Sequence, residues 1–591
     1  VKNKKIESFS FSQDKKNVLI FTNSVRVWRY NTRGNYWVYN LKTKQGKRLG
    51  STLPDRSLMF AKFSPNGEKI AYVSKEIIPN SFRNSSTRAN IYLETIDGNS
   101  IVKLTESDEK GKIINGTFDW VYEEEFSCRD GFLFNDNSDK IAFWQIDANG
   151  VKDFLMINNT DSIYPFNVPV EYPKVGEDLT PARIGVIDLN SMDVTWMKIP
   201  GESNKFYLPR MTWMPNKDKL MIQQLNRKQN HSRYFVANAD NGSTELLLED
   251  KDEAWIDVRN TWPYQDKAGW KFINGGKEFL YTTEKDGWSH VYRYNIEKRE
   301  EFLVTKGDYD VIRPLSFDEE KGDIYFIASP KDPTERYLYK TSENNELELV
   351  TPKLLEGTHN YQISTKSRYA FHSFSNYYTR PMQGIVTLPD HDYINKDDDI
   401  LSKFNPSLKD SNPLEFFQIT TVDDVTMEGW IVKPDNMDPN KKYPVLFYFY
   451  SEPAGQTGVK RFGAGRNGLY DGRLGEDGYV YVTFDGRGTP SPKGRAWRKA
   501  IYRKIGIINV RDMAMGAKAI FNKYDFIDTK RVAVHGWSGG GTATLNCLFQ
   551  YPEIFHTGIA AAAVANQLTY DNIYQERYMG DPKESYQDYV D

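Results

Sequence analysis

The sequence has little cysteine, no long apolar run and no marked excess of charge of either sign. Only Cys128 and Cys547 are present, too few and too far apart for a disulfide framework or a cysteine-based metal site. No run of about 18 apolar residues occurs, so no transmembrane helix is predicted. Lys and Arg total 77 against 80 Asp and Glu, a formal charge of −3, which argues against nucleic acid as a main partner.

Aromatic residues, in contrast, are abundant. They make up 14% of the 591 residues, with 37 Tyr, 33 Phe and 13 Trp. Strands favour aromatic side chains, so this composition predicts a β-rich protein. The length predicts two to four domains.

One sequence pattern recurs, with variations, along residues 1–385. It consists of an apolar or aromatic pair, a polar turn and an apolar strand, and is called the recurring phrase below. A spacing of about 45 to 80 residues suits the blades of a β-propeller with variable insertions, each copy forming two neighbouring strands. Several small β domains or a pair of β-sandwiches would be the alternative. The copies are ESFSFSQDKKNVLIFT from Glu7, FAKFSPNGEKIAYVS from Phe60, FLFNDNSDKIAFWQ from Phe132, MTWMPNKDKLMIQQ from Met211, GWKFINGGKEFLYTT from Gly269 and LSFDEEKGDIYFIAS from Leu315.

Two stretches interrupt this rhythm. Residues 24–39 read SVRVWRYNTRGNYWVY, dense in Arg and aromatics, and residues 119–126 read DWVYEEEF. Three consecutive Glu residues do not resemble a strand, so the second stretch predicts a short helix or loop projecting from a blade. Taken alone, the Glu run also fits an ordinary solvated acidic surface, and Arg29 a surface salt-bridge partner.

The composition changes after the repeats. Residues 386–412 are charged and aperiodic and predict a linker. Residues 413–591 alternate strands with amphipathic helices, the order of an α/β-hydrolase domain. Its predicted strands include KKYPVLFYFY, GYVYVTFDGRG and RVAVHGWS, and NVRDMAMGAKAIFNKY predicts a helix.

The motif RVAVHGWSGGGTA from Arg531 to Ala543 contains the pattern G-x-S-x-G. An apolar strand precedes it and a helix-competent segment follows, which predicts a nucleophile elbow with Ser538 at its tip. The N–H group of Gly539 would then point at an oxyanion. A glycine-rich turn that happens to contain serine is the alternative.

DWVYEEEF, VWR at 27–29, KKYPVLFYFY, FDGRG, GWSGGG and YDNIYQERYMG occur in an order that closely resembles the dipeptidyl peptidase IV group of the prolyl oligopeptidase clan. The resemblance spans nearly the whole chain and is strongest in the last 180 or so residues. It implies a β-propeller with an α/β-hydrolase domain and a serine exopeptidase that releases N-terminal dipeptides, with Pro, Ala or another small residue at the scissile position.

By the same resemblance, Glu124 and Glu125 capture the α-ammonium of a substrate with a free N-terminus. Arg29 would hold this pair and a substrate carbonyl. An α-amine with a pKa near 8 is mostly charged at neutral pH, and two shielded carboxylates bind it better than one exposed carboxylate. The anchor would also fix how many residues fit between the amine and Ser538.

The resemblance further assigns the hydroxyl of Tyr450 to the oxyanion hole, beside the Gly539 N–H. Read alone, Tyr450 would be a core or rim tyrosine. Val564, Tyr570 and Tyr574 match the wall of the pocket for the scissile residue.

Two positions depart from the family pattern. Many members carry Tyr where this chain has Gly539, and better-known members carry Trp where it has Gln567. Both changes remove aromatic wall, so we expect a wider, more polar pocket and a weaker preference for Pro.

The triad is expected to be incomplete, because the acid and base that follow the nucleophile in this fold match no residue before Asp591. His535 and His556 are interpreted as structural. We therefore expect the chain to be a fragment that is clipped at both ends. The resemblance also implies an exported protein that acts in the bacterial periplasm or at the cell surface, and members of the family commonly form homodimers. No cofactor or metal is expected, since the glycine pairs at 463–465 and 486–488 and the aspartates at 397–399 lack a binding context.

Two other functions stay open from the sequence. A tripeptidyl or broader oligopeptidase would differ in the distance between the Glu pair and Ser538. A propeller-based peptide-binding protein with an inactive hydrolase domain belongs to another class.

Overall fold

Antiparallel strands dominate the first 390 or so residues of the computed structural model, which describes residues 5–77, 87–96, 100–258, 262, 268–342 and 346–590. By its internal contacts the chain divides into two compact units. The first contains residues 1–251, 257–259 and 571–576, and the second contains 252–256, 260–570 and 577–591. The boundaries predicted near 385 and 412 stay predictions.

In the first unit the strands form antiparallel sheets that follow each other along the chain. Strands β1 to β8 form one sheet, whose two halves are joined by the pair Gly34 and Leu58. They are β1 (Ile6–Phe11), β2 (Asn17–Val27), β3 (Tyr30–Asn40), β4 (Gly46–Arg48), β5 (Leu58–Phe63), β6 (Lys69–Ile77), β7 (Thr87–Thr95) and β8 (Ile101–Lys103).

The next part of this unit contains two sheets, a short helix, α1 (Trp120–Phe126), and a separate hairpin. One sheet contains β9 (Ile113–Asn115), β10 (Phe132–Phe134), β11 (Lys140–Asp147), β14 (Ala182–Asp188) and β15 (Val194–Trp196). The hairpin is β12 (Asp153–Asn158) with β13 (Phe166–Glu171). The following four-stranded sheet contains β16 (Phe206–Trp213), β17 (Lys219–Asn226), β18 (His231–Asn238) and β19 (Thr244–Lys251).

The second unit continues the series with three more antiparallel sheets. They contain β20 (Trp270–Ile273), β21 (Glu278–Thr283), β22 (His290–Asn295) and β23 (Glu300–Leu303); β24 (Val311–Asp318), β25 (Asp323–Ala328), β26 (Tyr337–Thr341) and β27 (Glu348–Leu349); and β28 (Thr358–Ile363), β29 (Tyr369–Ser375) and β30 (Met382–Thr387). The segment after β30 holds 3-10 turns at Lys396–Asp398 and Pro406–Lys409 and the short helix α2 (Ile400–Lys403).

All six copies of the recurring phrase form the hairpins that the sequence predicts. Each polar turn joins two antiparallel neighbours within one sheet. Of the short helix or loop predicted at DWVYEEEF, the structure forms the helix, α1. Ile141, Phe143 and Ile91 are among the residues that form a core between successive sheets of the first unit.

The rest of the second unit is an α/β sheet in the order β31-β32-β34-β33-β35-β36. Its strands are β31 (Leu414–Thr420), β32 (Thr426–Val432), β33 (Tyr443–Tyr448), β34 (Val480–Phe484), β35 (Ile527–Trp537) and β36 (Thr557–Ala561). The last four pair in parallel, as the unbroken apolar runs predict.

Helices follow these strands: α3 (Gly494–Lys499), α4 (Ile508–Lys523), α5 (Gly539–Gln550), α6 (Asn572–Met579), α7 (Pro582–Ser585) and α8 (Gln587–Val590). Helix α4 buries Val510, Met513 and Ala517 against the sheet core, which also contains Phe447 and Val534. Within the described residues, no helix has the length and apolar character needed to span a bilayer.

Candidate active site

Ser538 stands at the sharp turn between β35 and α5. Its backbone has φ 56° and ψ −119°, a combination that a non-glycine residue adopts only when its surroundings hold it there. The Ser538 N–H donates to the carbonyl of Ala561 at 2.9 Å, and its own carbonyl accepts from Thr542 N–H at 3.0 Å. The strand, turn and helix of the predicted nucleophile elbow are confirmed.

Glycine is required on both sides of this turn because backbone atoms approach it closely. A Cβ on Gly540 would lie 2.1 Å from the carbonyl oxygen of Phe449. A Cβ on Gly536 would lie 2.3 Å from the oxygen of Gly540. The small residues of the motif therefore let α5 begin directly against the end of β33.

Tyr450 is brought to the same place by β33, which pairs in parallel with β35. Its Cα lies 3.3 Å from the position of a Cβ on Gly540, and its side chain is half-buried. The backbone of Tyr450 thus lies against the first turn of α5. Its role as oxyanion donor stays a prediction.

A buried carboxylate that the sequence interpretation missed fixes the loop after Tyr450. Asp485 accepts the N–H groups of Thr457 at 2.8 Å and Gly458 at 2.6 Å. Burial raises the pKa of Asp485 to about 6, although these hydrogen bonds lower it. Asn509 on α4 also donates to the Ser451 carbonyl at 3.0 Å. The FDGRG motif contains this aspartate, but its partners become apparent only in the fold.

A second missed residue, Glu452, lies beside the nucleophile. Its side chain is 6% exposed, and a Cβ on Gly539 would come within 2.5 Å of its Oε2 atom. The space that a side chain at position 539 would occupy is therefore filled by this carboxylate.

The residues of the second unit that are predicted to line the pocket wall follow β36. Val564 is fixed by Thr542, whose hydroxyl accepts its N–H at 3.0 Å and lies 3.3 Å from its carbonyl. Gln567 opens a 3-10 turn, and the N–H of Tyr570 donates to its carbonyl at 3.3 Å. The fold thus brings Val564 to the first turn of α5, next to Ser538.

His535 and His556 have environments that suit structural residues. The amide of Asn467 donates to His535 Nε2 at 3.1 Å, and burial lowers the pKa of His535 to about 4. The exposed His556 uses its backbone N–H to reach the Val532 carbonyl at 3.0 Å.

In the first unit, helix α1 presents the acidic residues of the predicted amine anchor. Arg29 forms a two-pronged ion pair with Glu124, with Nε at 2.7 Å from Oε2, and the indole N–H of Trp28 donates to Oε2 at 2.5 Å. Burial raises the pKa of Glu124, but the hydrogen bonds from Arg29 and Trp28 outweigh it and hold the pKa below its usual value. Glu124 is consequently a carboxylate at neutral pH.

Aromatic rings surround this carboxylate. Trp28 and Trp120 contact edge to face at 5.6 Å, and Trp120 packs on Tyr172 at 4.9 Å. Burial raises the pKa of Tyr172, and the charges of Asp571 and Glu125 raise it further. A neutral tyrosine hydroxyl therefore lies near the acidic residues.

Tyr574 belongs to the first unit, because residues 571–576 pack on its sheets. Its N–H donates to Asp571 at 2.9 Å, and Arg227 forms a two-pronged pair with Glu576 at 2.7 and 2.6 Å. The Asn572 N–H donates to the carbonyl of Pro173 at 2.9 Å, next to Tyr172. Arg227 was not singled out from the sequence, since nothing near it in the chain marks it.

The predicted site residues thus fall into two groups, each with its own geometry. Arg29, Glu124, Glu125 and Tyr574 lie in the first unit. Tyr450, Ser538, Gly539, Val564 and Tyr570 lie in the second unit.

Two family descriptions match the chain. The dipeptidyl peptidase IV N-terminal region matches residues 12–381, and the prolyl oligopeptidase family matches residues 473–591. These ranges cover the repeated sheets and most of the α/β sheet.

Named relatives match over almost the whole chain. Dipeptidyl-aminopeptidase B of Aspergillus niger is 27% identical over 600 residues, which is 96% of this chain and 63% of that protein. The probable dipeptidyl-aminopeptidase B of Botryotinia fuckeliana is 28% identical over 598 residues, 97% of this chain and 62% of that protein. The chain therefore spans less than two thirds of the length of the curated relatives it matches.

Solved structures share the architecture. The crystal structure of Porphyromonas gingivalis dipeptidyl peptidase 4 matches with a TM-score of 0.87 at 27% identity, over 99% of this chain and 79% of that one. A Bacteroides ovatus structure matches with a TM-score of 0.80 at 22% identity, over 98% and 78%. The fold is a β-propeller with an α/β-hydrolase domain, as predicted.

Proposed function

From the premise that this chain belongs to the dipeptidyl peptidase IV family, we propose that the whole protein is a serine exopeptidase that releases N-terminal dipeptides from peptides. The residue at the scissile bond would be Pro, Ala or another small residue. The observation that carries this proposal is the ionised Glu124, held by Arg29 and Trp28 among aromatic rings. Such a carboxylate suits a free α-ammonium group.

Ser538 would attack the scissile carbonyl. The N–H of Gly539, at the start of α5, and the hydroxyl of Tyr450 would stabilise the resulting oxyanion. A serine needs a general base, and we assign none among the seven histidines, all of which lie in described parts of the chain. The base and its acid partner are assigned to no residue of this sequence.

Glu124 and Glu125 would hold the substrate amine, and their fixed position would limit the length of the released fragment. Arg29 would keep Glu124 charged and oriented rather than neutralise it fully, because its guanidinium is 59% exposed and screened by water. The loss of this anchor should therefore weaken binding of substrates with free amines more than it slows the chemical step.

The test uses Gly-Pro and Ala-Ala amides with a chromogenic leaving group, each with a free and a blocked N-terminus. The natural protein in its full length should cleave only the free forms, and Ser538→Ala should lose activity by about a thousandfold or more. Glu124→Gln should raise KM for the free forms with little change in kcat.

Glu109→Gln is the matched control, because Glu109 is exposed and its backbone carbonyl, which the substitution keeps, accepts from Arg88 at 2.8 Å. Equal cleavage of blocked and free substrates would show that Glu124 and Glu125 are not an amine anchor. Lack of cleavage of every substrate would favour a peptide-binding protein.

We also propose that the protein forms a homodimer through the hairpin of β12 and β13. Its strands and tip expose a run of apolar side chains, with Ile157 69% and Ile163 96% exposed. An apolar strip of this kind is typical of an interaction surface. Sedimentation should give a dimer for the natural protein and a monomer for Ile157→Asp; a monomer in both would exclude it.

We further propose that the protein is exported to the bacterial periplasm or cell surface, because bacterial members of this family are usually exported. Recovery of the protein in the cytoplasmic fraction of its native host would contradict it.

A further inference from the structure

We infer that a cavity in the second unit, lined in part by Tyr450 and Trp537, binds a carboxylate of the leaving peptide, and that Arg461 and Arg466 recognise this carboxylate. The leaving peptide is the part of the substrate that follows the scissile bond. The inference rests on the proposed peptidase function and adds a substrate preference on the far side of that bond.

The cavity has a volume of about 500 Å³, which is within the range of small-ligand pockets. Four rings from the strands β32 to β35 belong to its lining and pack on each other with centroids 5.1, 5.9 and 5.1 Å apart, in the order Trp430, Tyr481, His535 and Tyr448. The segment opposite these rings is tied to β35, because the Asn467 amide donates to His535 Nε2 at 3.1 Å. The cavity is therefore formed before any ligand binds.

Strand order decides which part of a substrate reaches this cavity. Strand β35, which ends next to Ser538, lies between β33 and β36. Val564, which is predicted to contact the scissile residue, follows β36 on one side of β35, whereas Tyr448 and Tyr481 lie on β33 and β34, on the other side. The two halves of an extended peptide leave the scissile carbonyl in opposite directions. The half that follows the scissile bond therefore points towards the cavity.

The lining of the cavity carries positive charge that is not neutralised. All of its lining residues lie in the described part of the chain, and they include Arg461 and Arg466 but no Asp or Glu. Within the described residues, neither guanidinium forms a salt bridge, whereas the neighbouring Lys460 is paired with Asp332. A ligand that carries a carboxylate would complement this charge.

The two arginines are directed to the cavity by aromatic neighbours. The guanidinium of Arg466 lies 5.0 Å from the centroid of the Phe462 ring. Burial raises the pKa of Tyr448, and the charge of Arg461 lowers it, so this charge acts on a ring of the cavity lining. A guanidinium presents parallel N–H groups that match the two oxygens of a carboxylate.

The experiment compares three tetrapeptides with free N-termini on the natural full-length protein: Ala-Pro-Ala-Gln amide, Ala-Pro-Ala-Glu amide and Ala-Pro-Ala-Gln with a free C-terminus. The second peptide carries its carboxylate on a side chain and the third at the chain end, so the two sources are read separately. We expect kcat/KM for at least one of them to exceed that for the Gln amide by about fivefold. Added salt should reduce this ratio, because both arginines are exposed.

The double variant Arg461→Gln with Arg466→Gln should bring both ratios close to one. Arg466→Glu should favour Ala-Pro-Ala-Lys amide over the Glu amide, a reversal that a merely structural role would not produce. Arg368→Gln is the matched control and should keep the ratios of the parent protein, because Arg368 is an exposed arginine in the turn before β29.

Equal cleavage of the three tetrapeptides by the parent protein would overturn the inference, and so would ratios that the double variant leaves unchanged. The proposed exopeptidase fails in a different way, since N-terminally blocked peptides would then be cleaved as fast as free ones. The effect of the arginines on the ratios could still be read in that case. Lack of cleavage of every peptide would overturn both.

Discussion

At the nucleophile turn, single backbone oxygens lie so close that only glycine fits at some positions. The carbonyl of Phe449 lies 2.1 Å from where a Cβ on Gly540 would be, closer than any non-bonded carbon can approach. Backbone atoms cannot rotate away as the end of a flexible side chain can. The contact is therefore relieved only by moving α5 or the end of β33.

We expect Gly540→Ala to displace the Gly539 N–H and Ser538, with an activity loss of tenfold or more and a loss of stability of about 1–3 kcal/mol. Kinetics and thermal unfolding of the purified variant measure both. Gly150→Ala is the control, since a Cβ there meets nothing within 4 Å. Full activity in Gly540→Ala would show that the turn is more adaptable than the structure indicates.

Two buried histidines in the sheet of β28 to β30, His359 and His372, illustrate how hydrogen bonds fix proton positions. His359 Nε2 lies 2.7 Å from the Leu355 carbonyl, which can only accept, so His359 Nδ1 must accept in turn. His372 Nε2 then donates to it at 2.8 Å, and His372 Nδ1 accepts from the Tyr393 hydroxyl at 3.0 Å. Burial lowers the pKa of both histidines far below the usual value.

A third buried histidine, His391, is expected to make the stability of the protein depend measurably on pH. Burial lowers its pKa from 6.5 to about 4, so the folded state resists the proton that the unfolded state binds. The stability that the neutral ring contributes is present above about pH 6.5 and is lost as the pH falls towards 4. His391→Phe removes the titration, and Tyr361, its hydrogen-bond partner, keeps Thr351 at 3.0 Å.

The parent protein should therefore lose stability relative to His391→Phe between pH 6.5 and 4, by up to about 3 kcal/mol. Denaturant unfolding at several pH values measures the difference. A constant difference across that range would contradict the prediction.

At the scale of elements, α1 shows how a helix of seven residues is stabilised. Asp119 accepts the Tyr122 N–H at 3.1 Å as its N-cap, and Ser127 ends the helix in the left-handed region at φ 56°. Val121, Tyr122 and Phe126 are buried on one side. The acidic residues are thereby held on the remaining face.

We expect Asp119→Ala to cost about 1 kcal/mol and to raise KM for substrates with a free N-terminus, because a frayed helix misplaces Glu124. Asp119→Asn retains a capping oxygen and should stay close to the parent protein. Steady-state kinetics with free and blocked substrates separate the two variants. An equal effect of both would indicate that charge, rather than capping, is what Asp119 provides.

At the scale of the whole molecule, a buried charge network joins the hydrolase part of the second unit to its antiparallel sheets. Arg498 on α3 bonds to Glu284 at 2.5 Å and to Asp310 at 2.6 Å, and all three are buried. Lys499 extends the network through a salt bridge to Asp252, with Nζ 2.6 Å from Oδ2. These carboxylates come from the loops that flank β21 and β24 and the segment after β19.

Arg498→Met should leave Glu284 and Asp310 buried without their main cation and lower the stability of the second unit by about 3–5 kcal/mol. Arg511→Met is the matched control, because its pair with Asp423 is exposed to water. Thermal unfolding of both variants measures the contrast, with little change expected for Arg511→Met. Equal melting temperatures would show that the network is not a stabilising contact.

The sequence by itself determined the elements whose patterns are local. Alternation of apolar residues around a polar turn specified each hairpin, and the glycines around Ser538 specified the elbow, because these features depend on neighbours a few residues away. A short helix or loop at DWVYEEEF was also predictable, because three consecutive Glu residues do not suit a strand, whereas the capping by Asp119 became apparent only in the structure. The family resemblance added the pairing of Arg29 with the Glu pair.

Tertiary structure alone decided which distant residues meet. Glu452 fills the space left by Gly539, Asp485 fixes the loop after Tyr450, and Arg227 holds residues 571–576 on the propeller sheets. Each contact joins segments that no local pattern relates, so its existence depends on strand order and on packing. The surroundings of the nucleophile turn therefore include residues whose positions only the folded chain defines.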